Sequence, residues 1–201
     1  MEIYLVRHTT PLIESGICYG QSDLDVTNSF IEESRLIKKI LPRNIVKVYS
    51  SPLKRCTLLA SAIFPGQPIL LLDDLREINC GIWEMQPWDA IPREELQPWM
   101  DDFVNVSIPG GESYTELHQR VTRCFDSIRQ QTTPFAIITH GGVIRSILSH
   151  ITHISLKDSF NAFSLHYGCV INLSQQGEHV TYRVLHNIIP KQREQHRPSH
   201  L

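Results

Sequence analysis

The sequence predicts an α/β fold in which helices pack on a mostly parallel central sheet. Short apolar runs typical of buried strands alternate along the 201 residues with segments whose apolar side chains recur at helical spacing. The chain is 41% hydrophobic, which is enough for one α/β domain with a sizeable core. We therefore expect a single domain over residues 1–190, followed by a polar, frayed tail at 191–201.

Charge and cysteine content limit the class of partner. The formal net charge of −2 gives no sign of a nucleic acid or an anionic membrane surface, so we expect a small-molecule partner. The apolar run at the N-terminus is only about five residues long, too short for a signal peptide or a membrane span, and this favours a cytoplasmic protein. Five cysteines without a Cys-x-x-Cys pair indicate reduced, mostly buried thiols.

The first part of the chain alternates strand and helix. Residues 3–6 are apolar and predict a buried strand, and residues 45–50 alternate apolar and polar side chains like a second strand. Between them, residues 30–41 carry apolar side chains at helical spacing, with Thr27 or Asn28 as the expected N-cap.

The middle of the chain differs from the rest in composition and in periodicity. A second helix is expected to carry Pro52 and Arg55 in its first turn, and the apolar run at 69–72 predicts a third strand. Residues 83–110 contain all three tryptophans and show no clean periodicity, so we expect an excursion from the sheet. The tryptophans either pack this excursion against the sheet or form an aromatic wall that stacks on a heterocycle.

The last part of the chain completes the predicted sheet. Ser113 and Glu116 form a capping box that opens a helix. Residues 135–138 predict a continuous apolar strand, and a glycine turn leads from it directly into another helix, which places backbone amides where an anion would dock. Residues 168–174 and 179–188 predict a hairpin.

Charged and polar side chains follow the carboxyl ends of several predicted strands. Ligands of open α/β sheets bind beyond these ends, so the side chains are expected to converge on one pocket. Arginines give bidentate hydrogen bonds to phosphate, a neutral imidazole is a competent nucleophile, and a carboxylic acid can protonate a departing alkoxide. The set therefore suits phosphoryl transfer that requires no metal and no cofactor. Its members are Arg7, His8, Arg55, Glu77 and His140.

Other phosphate chemistries have signatures that can be searched for. The sequence contains neither a Walker loop nor a cysteine followed six positions later by an arginine. Asp23, Asp25 and Thr27 match the DxDx[TV] pattern of the haloacid dehalogenase phosphatases. That pattern belongs at the end of a hydrophobic strand, whereas here it follows the polar stretch CYGQS, so we treat it as a decoy.

Four motifs, in this order, resemble the histidine phosphatase superfamily, also called phosphoglycerate-mutase-like. The resemblance implies a three-layer αβα sandwich with a mostly parallel central sheet. It also implies that His8 is the phosphorylated nucleophile, that Glu77 is the general acid and then the base for water, and that Arg7, Arg55 and His140 form the phosphate pocket. The motifs are LVRHTTP from Leu5, YSSPLKRC from Tyr49, LREINCGIWE from Leu75 and ITHGGVIR from Ile138.

Further residues are expected to contact the substrate. Thr9 replaces the glycine that is most frequent in the family's first motif, and its amide would meet a phosphoryl oxygen. Tyr19, Gly20 and Gln21 lie in the loop after the nucleophile, and Gly141 follows the last histidine of the set.

The small size, the GICYGQSDLDV loop, the PGGES segment and the THGGVIR ending are most similar to the α-ribazole phosphatase subfamily. This similarity implies hydrolysis of α-ribazole 5'-phosphate in the assembly of the cobalamin nucleotide loop. Phosphoglycerate mutation, broad sugar-phosphate hydrolysis and phospholigand binding without turnover stay as alternatives. A homodimer is left open, because neither a heptad seam nor a patch is readable by spacing.

Overall fold

The computed structural model describes residues 1–189 of the chain, which contain six strands and six α-helices. The predicted tail at 191–201 lies outside these residues. The strands are β1 (Glu2–Arg7), β2 (Lys47–Ser50), β3 (Ile69–Leu71), β4 (Phe135–Thr139), β5 (Val170–Gln176) and β6 (His179–His186). The helices are α1 (Phe30–Ile40), α2 (Lys54–Ile63), α3 (Arg93–Asp101), α4 (Tyr114–Ile128), α5 (Gly141–Thr152) and α6 (Ser159–Ala162).

All six strands form one sheet in the order β3-β2-β4-β1-β5-β6. The first four are parallel, whereas β5 is antiparallel to β1 and pairs with β6 as the predicted hairpin. The prediction of a mostly parallel sheet is therefore confirmed. Because β2, β4 and β1 are parallel neighbours, with Arg7 opposite Thr139 and Ser50 opposite Ile138, their carboxyl ends meet at one edge.

Helices cover both faces of the sheet because its central strands are apolar on both faces. On β1, Ile3 and Leu5 pack with the apolar sides of α4 and α5, while Tyr4 and Val6 pack with those of α1 and α2. This period of two places successive side chains in different layers. The result is the αβα sandwich that the resemblance implied.

Two local details differ from the sequence predictions. The N-cap of α1 is Ser29, not Thr27 or Asn28, because the Thr27 hydroxyl instead bonds to the Ser29 hydroxyl at 2.7 Å and to a loop carbonyl. Pro52 lies before the first turn of α2 rather than in it, since extended Leu53 is the N-cap. Arg55 does lie in that first turn, as predicted.

The segment 83–110 adds no strand to the sheet and contains α3 together with short 3-10 turns. It has a small core of its own, in which Trp83 is 1% and Trp88 6% exposed. The ring of Trp99 is stacked on Trp88 and perpendicular to Trp83, so the three tryptophans pack on one another. Within residues 1–189, no helix is both long enough and apolar enough to cross a bilayer.

Candidate active site

Four basic side chains from three elements lie together at the carboxyl edge of the sheet. Arg7 ends β1 and His8 follows it, His140 follows β4, and Arg55 stands in the first turn of α2 just after β2. Each is at most 5% exposed. The order β2-β4-β1 is what brings three distant parts of the sequence to one place.

The orientation of the His8 ring is fixed by the residue that follows it. Nδ1 of His8 lies 2.7 Å from the carbonyl oxygen of Thr9. A carbonyl only accepts, so Nδ1 carries the proton and donates it, which leaves the lone pair on Nε2. The backbone is held as well, because the amide of His8 donates to the carbonyl of Thr139 at 2.9 Å.

His140 stands beside His8, with ring centroids 5.1 Å apart and planes at 62°. Its Nε2 is 2.8 Å from the hydroxyl of Ser51, the residue after β2. The thiol of Cys56 lies 3.5 Å from the same nitrogen. These contacts hold the second imidazole in place with no exposure to solvent.

Arg7 is held in place by a carbonyl, a ring and a glycine. Its Nη1 donates to the carbonyl of Leu165 at 2.5 Å, and its guanidinium carbon lies 4.1 Å from the ring centroid of Tyr167. A Cβ at Gly141 would lie 3.4 Å from that same carbon, which is an ordinary van der Waals distance. Gly141 therefore contacts Arg7.

Arg55 is bound by the loop after β1. Its Nη2 donates to the carbonyl of Gly20 at 2.6 Å and its Nη1 to the carbonyl of Ser22 at 2.8 Å. Its Nε is buried and has no hydrogen-bond partner among residues 1–189. The guanidinium is thus anchored on one side and keeps an unused donor.

Glu77 is docked on the N-terminus of α5. One carboxylate oxygen accepts from the amide of Gly142 and the other from the amide of Ile78, each at 3.0 Å. The expectation that the first amides of α5 are free for an anion is therefore wrong for Gly142, because its amide donates to Glu77. A Cβ at Gly142 would fall 2.3 Å from the Glu77 carboxylate, so only glycine allows this contact.

Three consecutive residues at the start of α5 thus contact three site residues. His140 faces His8, Gly141 packs on Arg7, and Gly142 binds Glu77. The missing side chain of Gly142 leaves the room that the Glu77 carboxylate occupies at this helix end.

Burial and positive charge keep both histidines neutral. Burial lowers the pKa of His8 well below its ordinary value of 6.5, and the nearby Arg55 and Arg7 lower it further. The pKa of His140 is lowered in the same direction, by burial first and then by Arg55, His8 and Arg7. At neutral pH both imidazoles therefore keep a nitrogen lone pair.

The loop residues predicted to contact substrate make protein contacts. Gly20 binds Arg55 through its carbonyl, and the side-chain amide of Gln21 donates to the carbonyl of Glu77 at 3.0 Å. Tyr19 bonds to the hydroxyl of Tyr167 at 2.6 Å. Thr9 is fully buried, and its hydroxyl has no hydrogen-bond partner among residues 1–189.

The two aspartates of the DxDx[TV] pattern, Asp23 and Asp25, both bind Lys54. Asp23 accepts from the amide of Lys54 at 2.6 Å and so satisfies the first turn of α2, and Asp25 pairs with the Lys54 ammonium at 2.5 Å. Neither carboxylate follows a strand. The geometry that the haloacid dehalogenase motif needs is absent here.

Three residues that the sequence analysis did not select lie at the site. Ser51 contacts His140, Tyr167 covers Arg7 with its ring 5.5 Å from that of His8, and Glu84 binds the loop that holds Arg55. Ser51 could have been found from its place directly after a strand. No local pattern marks Tyr167, because its contacts depend on how β5 returns to the sheet.

Known proteins resemble this chain over most of its length. A Hydrogenobacter thermophilus protein with the provisional name phosphoserine phosphatase 2 is 26% identical, covering 92% of this chain and 95% of its own length. A Yersinia pestis protein with the provisional name phosphoglycerate mutase GpmB is 32% identical, covering 74% of each. The crystal structure of the α-ribazole phosphatase from Shigella flexneri shares the fold, with TM-score 0.81 and 23% identity over 92% of this chain and 95% of that one.

The model of the histidine phosphatase superfamily, branch 1, matches residues 3–188, which include all four motifs and every element of the site. The chain is thus a phosphatase-class enzyme, and it belongs to the histidine phosphatase superfamily, branch 1.

Proposed function

We propose that this protein is a metal-independent phosphomonoesterase of the cytoplasm that works through a phosphohistidine on His8. One observation carries the proposal. The Nδ1 proton of His8 is committed to the Thr9 carbonyl, and burial together with Arg55 and Arg7 lowers the pKa of the ring, so Nε2 is a nucleophile beside two cations.

The charges of the pocket match a phosphoryl group. Two guanidiniums offset the two negative charges of a phosphomonoester dianion. The partnerless Nε of Arg55 and hydroxyl of Thr9 are buried donors of the kind that phosphoryl oxygens would satisfy. Each preorganised donor of this kind is typically worth about 3 kcal/mol of barrier.

The proposed cycle has two in-line displacements. Nε2 of His8 attacks phosphorus, the ester P–O bond breaks, and protonated Glu77 gives its proton to the departing alkoxide. Water then attacks the phosphohistidine, Glu77 takes the proton, and the P–N bond breaks. Inorganic phosphate leaves, and His8 and Glu77 return to their starting states.

We propose α-ribazole 5'-phosphate as the substrate, with α-ribazole and phosphate as products in cobalamin nucleotide loop assembly. The similarity of the loop and the motifs to the α-ribazole phosphatases supports this choice, as does the fold shared with the α-ribazole phosphatase from Shigella flexneri. The alternative is a phosphoglycerate mutase, favoured by the name of the Yersinia pestis relative. A broad sugar-phosphate phosphatase is a third candidate.

A substrate panel in the presence of EDTA tests the proposal. It would contain α-ribazole 5'-phosphate, 3-phosphoglycerate, sugar phosphates and p-nitrophenyl phosphate, with free phosphate as the readout. We expect turnover to survive chelation and α-ribazole 5'-phosphate to give the highest kcat/KM. Activity that returns only with magnesium would overturn the histidine mechanism.

Variants make the test specific. His8→Ala should abolish turnover, and wild type quenched in base during turnover should carry a phosphoryl group on His8, because phosphohistidine survives base. His118→Gln is the matched control, since His118 is paired with His150 away from the pocket. Full activity in His8→Ala would refute the proposal.

The product formed from 3-phosphoglycerate distinguishes a mutase from a hydrolase. Incubation with 3-phosphoglycerate should release phosphate if the enzyme is a hydrolase. Formation of 2-phosphoglycerate without free phosphate would make it a mutase, whose phosphohistidine must be kept from water.

A further inference from the structure

Glu84 touches no part of the proposed reaction, yet its carboxylate accepts five hydrogen bonds. The backbone amides of Gly20, Gln21 and Ser22 donate to it at 3.0, 2.7 and 3.1 Å. The Ser22 hydroxyl and the Cys80 amide donate at 2.5 and 3.2 Å. One carboxylate thus fixes the backbone of three consecutive loop residues.

The opposite side of the same loop holds Arg55. The carbonyls of Gly20 and Ser22 accept from its two terminal nitrogens, at 2.6 and 2.8 Å. The loop therefore lies between an anion that takes its N–H groups and a cation that takes its carbonyls. The Gly20–Gln21 peptide is bonded at both ends, with its N–H to Glu84 and its carbonyl to Arg55.

We infer that Glu84 is a positioning residue, which sets the plane of the Arg55 guanidinium through the loop of residues 20–22. The inference rests on the proposed role of Arg55 in phosphate binding. Arg55 is fully buried, and both of its terminal nitrogens bond to this loop, so a shift of the two carbonyls moves the guanidinium with them.

Two further observations support the inference. A Cβ at Gly20 would lie 1.8 Å from the Ile78 carbonyl, so the loop is pressed against its surroundings and has little freedom of its own. Burial alone raises the pKa of Glu84, but the hydrogen bonds from Ser22, Gln21, Gly20 and Cys80 outweigh it and hold the pKa below its ordinary value. Glu84 is therefore an acceptor at neutral pH and is poorly suited to act as the general acid.

The Gly20–Ser22 loop also reaches the proposed acid. The side chain of Gln21 donates to the carbonyl of Glu77 at 3.0 Å. This contact acts on the backbone of Glu77 rather than on its carboxylate. We therefore assign the main effect of Glu84 to Arg55.

The test is a double-mutant cycle between Glu84→Gln and Arg55→Ala. The amide nitrogen of the glutamine would face backbone donors in place of an acceptor, so the loop and Arg55 should shift. We expect Glu84→Gln to lower kcat/KM by about tenfold in wild type but by less than about twofold in the Arg55→Ala background, because coupled neighbours are not additive. The dissociation constant for orthophosphate should follow the same pattern, which keeps the cycle measurable when turnover is slow.

Two controls separate positioning from general damage. Glu116→Gln is matched, because the carboxylate of Glu116 also accepts from a backbone amide and hydroxyls, at Ser113 and Ser107, but at the start of α4. It should lower stability and leave kcat/KM unchanged. If Glu84→Gln does not fold, Ser22→Ala removes only the hydroxyl bond to Glu84 and enters the same cycle.

The outcomes are distinct. Equal losses in both backgrounds, or full activity and phosphate affinity in Glu84→Gln, would overturn the inference while leaving the proposed function intact. Wild-type activity in Arg55→Ala would instead overturn the proposed phosphate pocket, and the inference with it.

Discussion

The hydroxyl oxygen of Tyr19 lies 2.6 Å from that of Tyr167. This bond joins the loop after β1 to the loop before β5. Beneath it, the Tyr167 ring covers Arg7 and lies 5.5 Å from the ring of His8. The two tyrosines thus form a bridge beside the proposed nucleophile.

The bridge gives a stability prediction. Tyr19→Phe and Tyr167→Phe should each lower the free energy of unfolding by about 1 kcal/mol, because each removes the shared hydrogen bond and keeps its ring. The double variant should lose less than the sum of the two single losses, since both changes remove that shared bond. Urea unfolding measures all three, and additive losses would show that the hydroxyls act separately.

Gly142→Ala should separate activity from stability. The new Cβ would lie 2.3 Å from the Glu77 carboxylate, so the proposed general acid must move. Loss of general acid catalysis costs about a hundredfold or more, whereas alanine in a helix is favoured over glycine by about 1 kcal/mol. We expect slower turnover of alkyl phosphates without a fall in the thermal midpoint.

The neighbouring glycine and the leaving group supply the controls for that variant. Gly141→Ala adds a Cβ at ordinary contact distance from Arg7 and should lose less activity. p-Nitrophenolate leaves without being protonated. Activity on p-nitrophenyl phosphate should therefore fall less in Gly142→Ala than activity on alkyl phosphates. Equal losses with both substrates would contradict the role proposed for Glu77.

Stability should fall as the pH drops below about 6.5, the ordinary pKa of histidine. Burial, Arg55 and Arg7 depress the pKa of His8 in the folded chain, so below that pH the unfolded chain binds more protons. The slope from this histidine is up to about 1.4 kcal/mol per pH unit. The stability contributed by the neutral His8 ring is complete above pH 6.5 and is lost as the pH falls toward the depressed pKa.

His8→Asn isolates this contribution. The variant lacks the titrating ring, so its free energy of unfolding should change less between pH 7.5 and 5.5 than that of wild type, by denaturant titration at each pH. Carboxylates and the other histidines are shared by both proteins. Identical pH slopes would mean that His8 is not held neutral by the fold.

The tryptophan cluster should matter for stability and not for substrate choice. Trp83→Leu removes a buried ring that packs on Trp88 and Trp99, and comparable truncations cost about 3 kcal/mol or more. Ile82→Ala, next to it and 55% exposed, should cost less than about 0.5 kcal/mol. If Trp83→Leu changes the ratio of kcat/KM between aromatic and sugar phosphate esters, the tryptophans would instead form an aromatic wall that stacks on the substrate.

Much of the site followed from the sequence because its chemistry is local to strand ends. Arg7 and His8 follow one apolar strand and His140 another, and the structure brings them together with Arg55 at one edge. The loop residues Gly20 and Gln21 were placed near the pocket, but their partners proved to be Arg55 and Glu77. Spacing along the chain indicates proximity to a site and not the direction in which a carbonyl or an amide points.

The sequence by itself determined the α/β class, the apolar strands and the residues at their ends, since these follow from periodicity and from residue chemistry over a few positions. Only the tertiary structure decided that Glu84 holds the Arg55 loop, that Gly142 serves Glu77, and that Tyr167 covers Arg7. Such contacts join residues as many as 160 positions apart. They depend on strand order and loop closure, which no local pattern records.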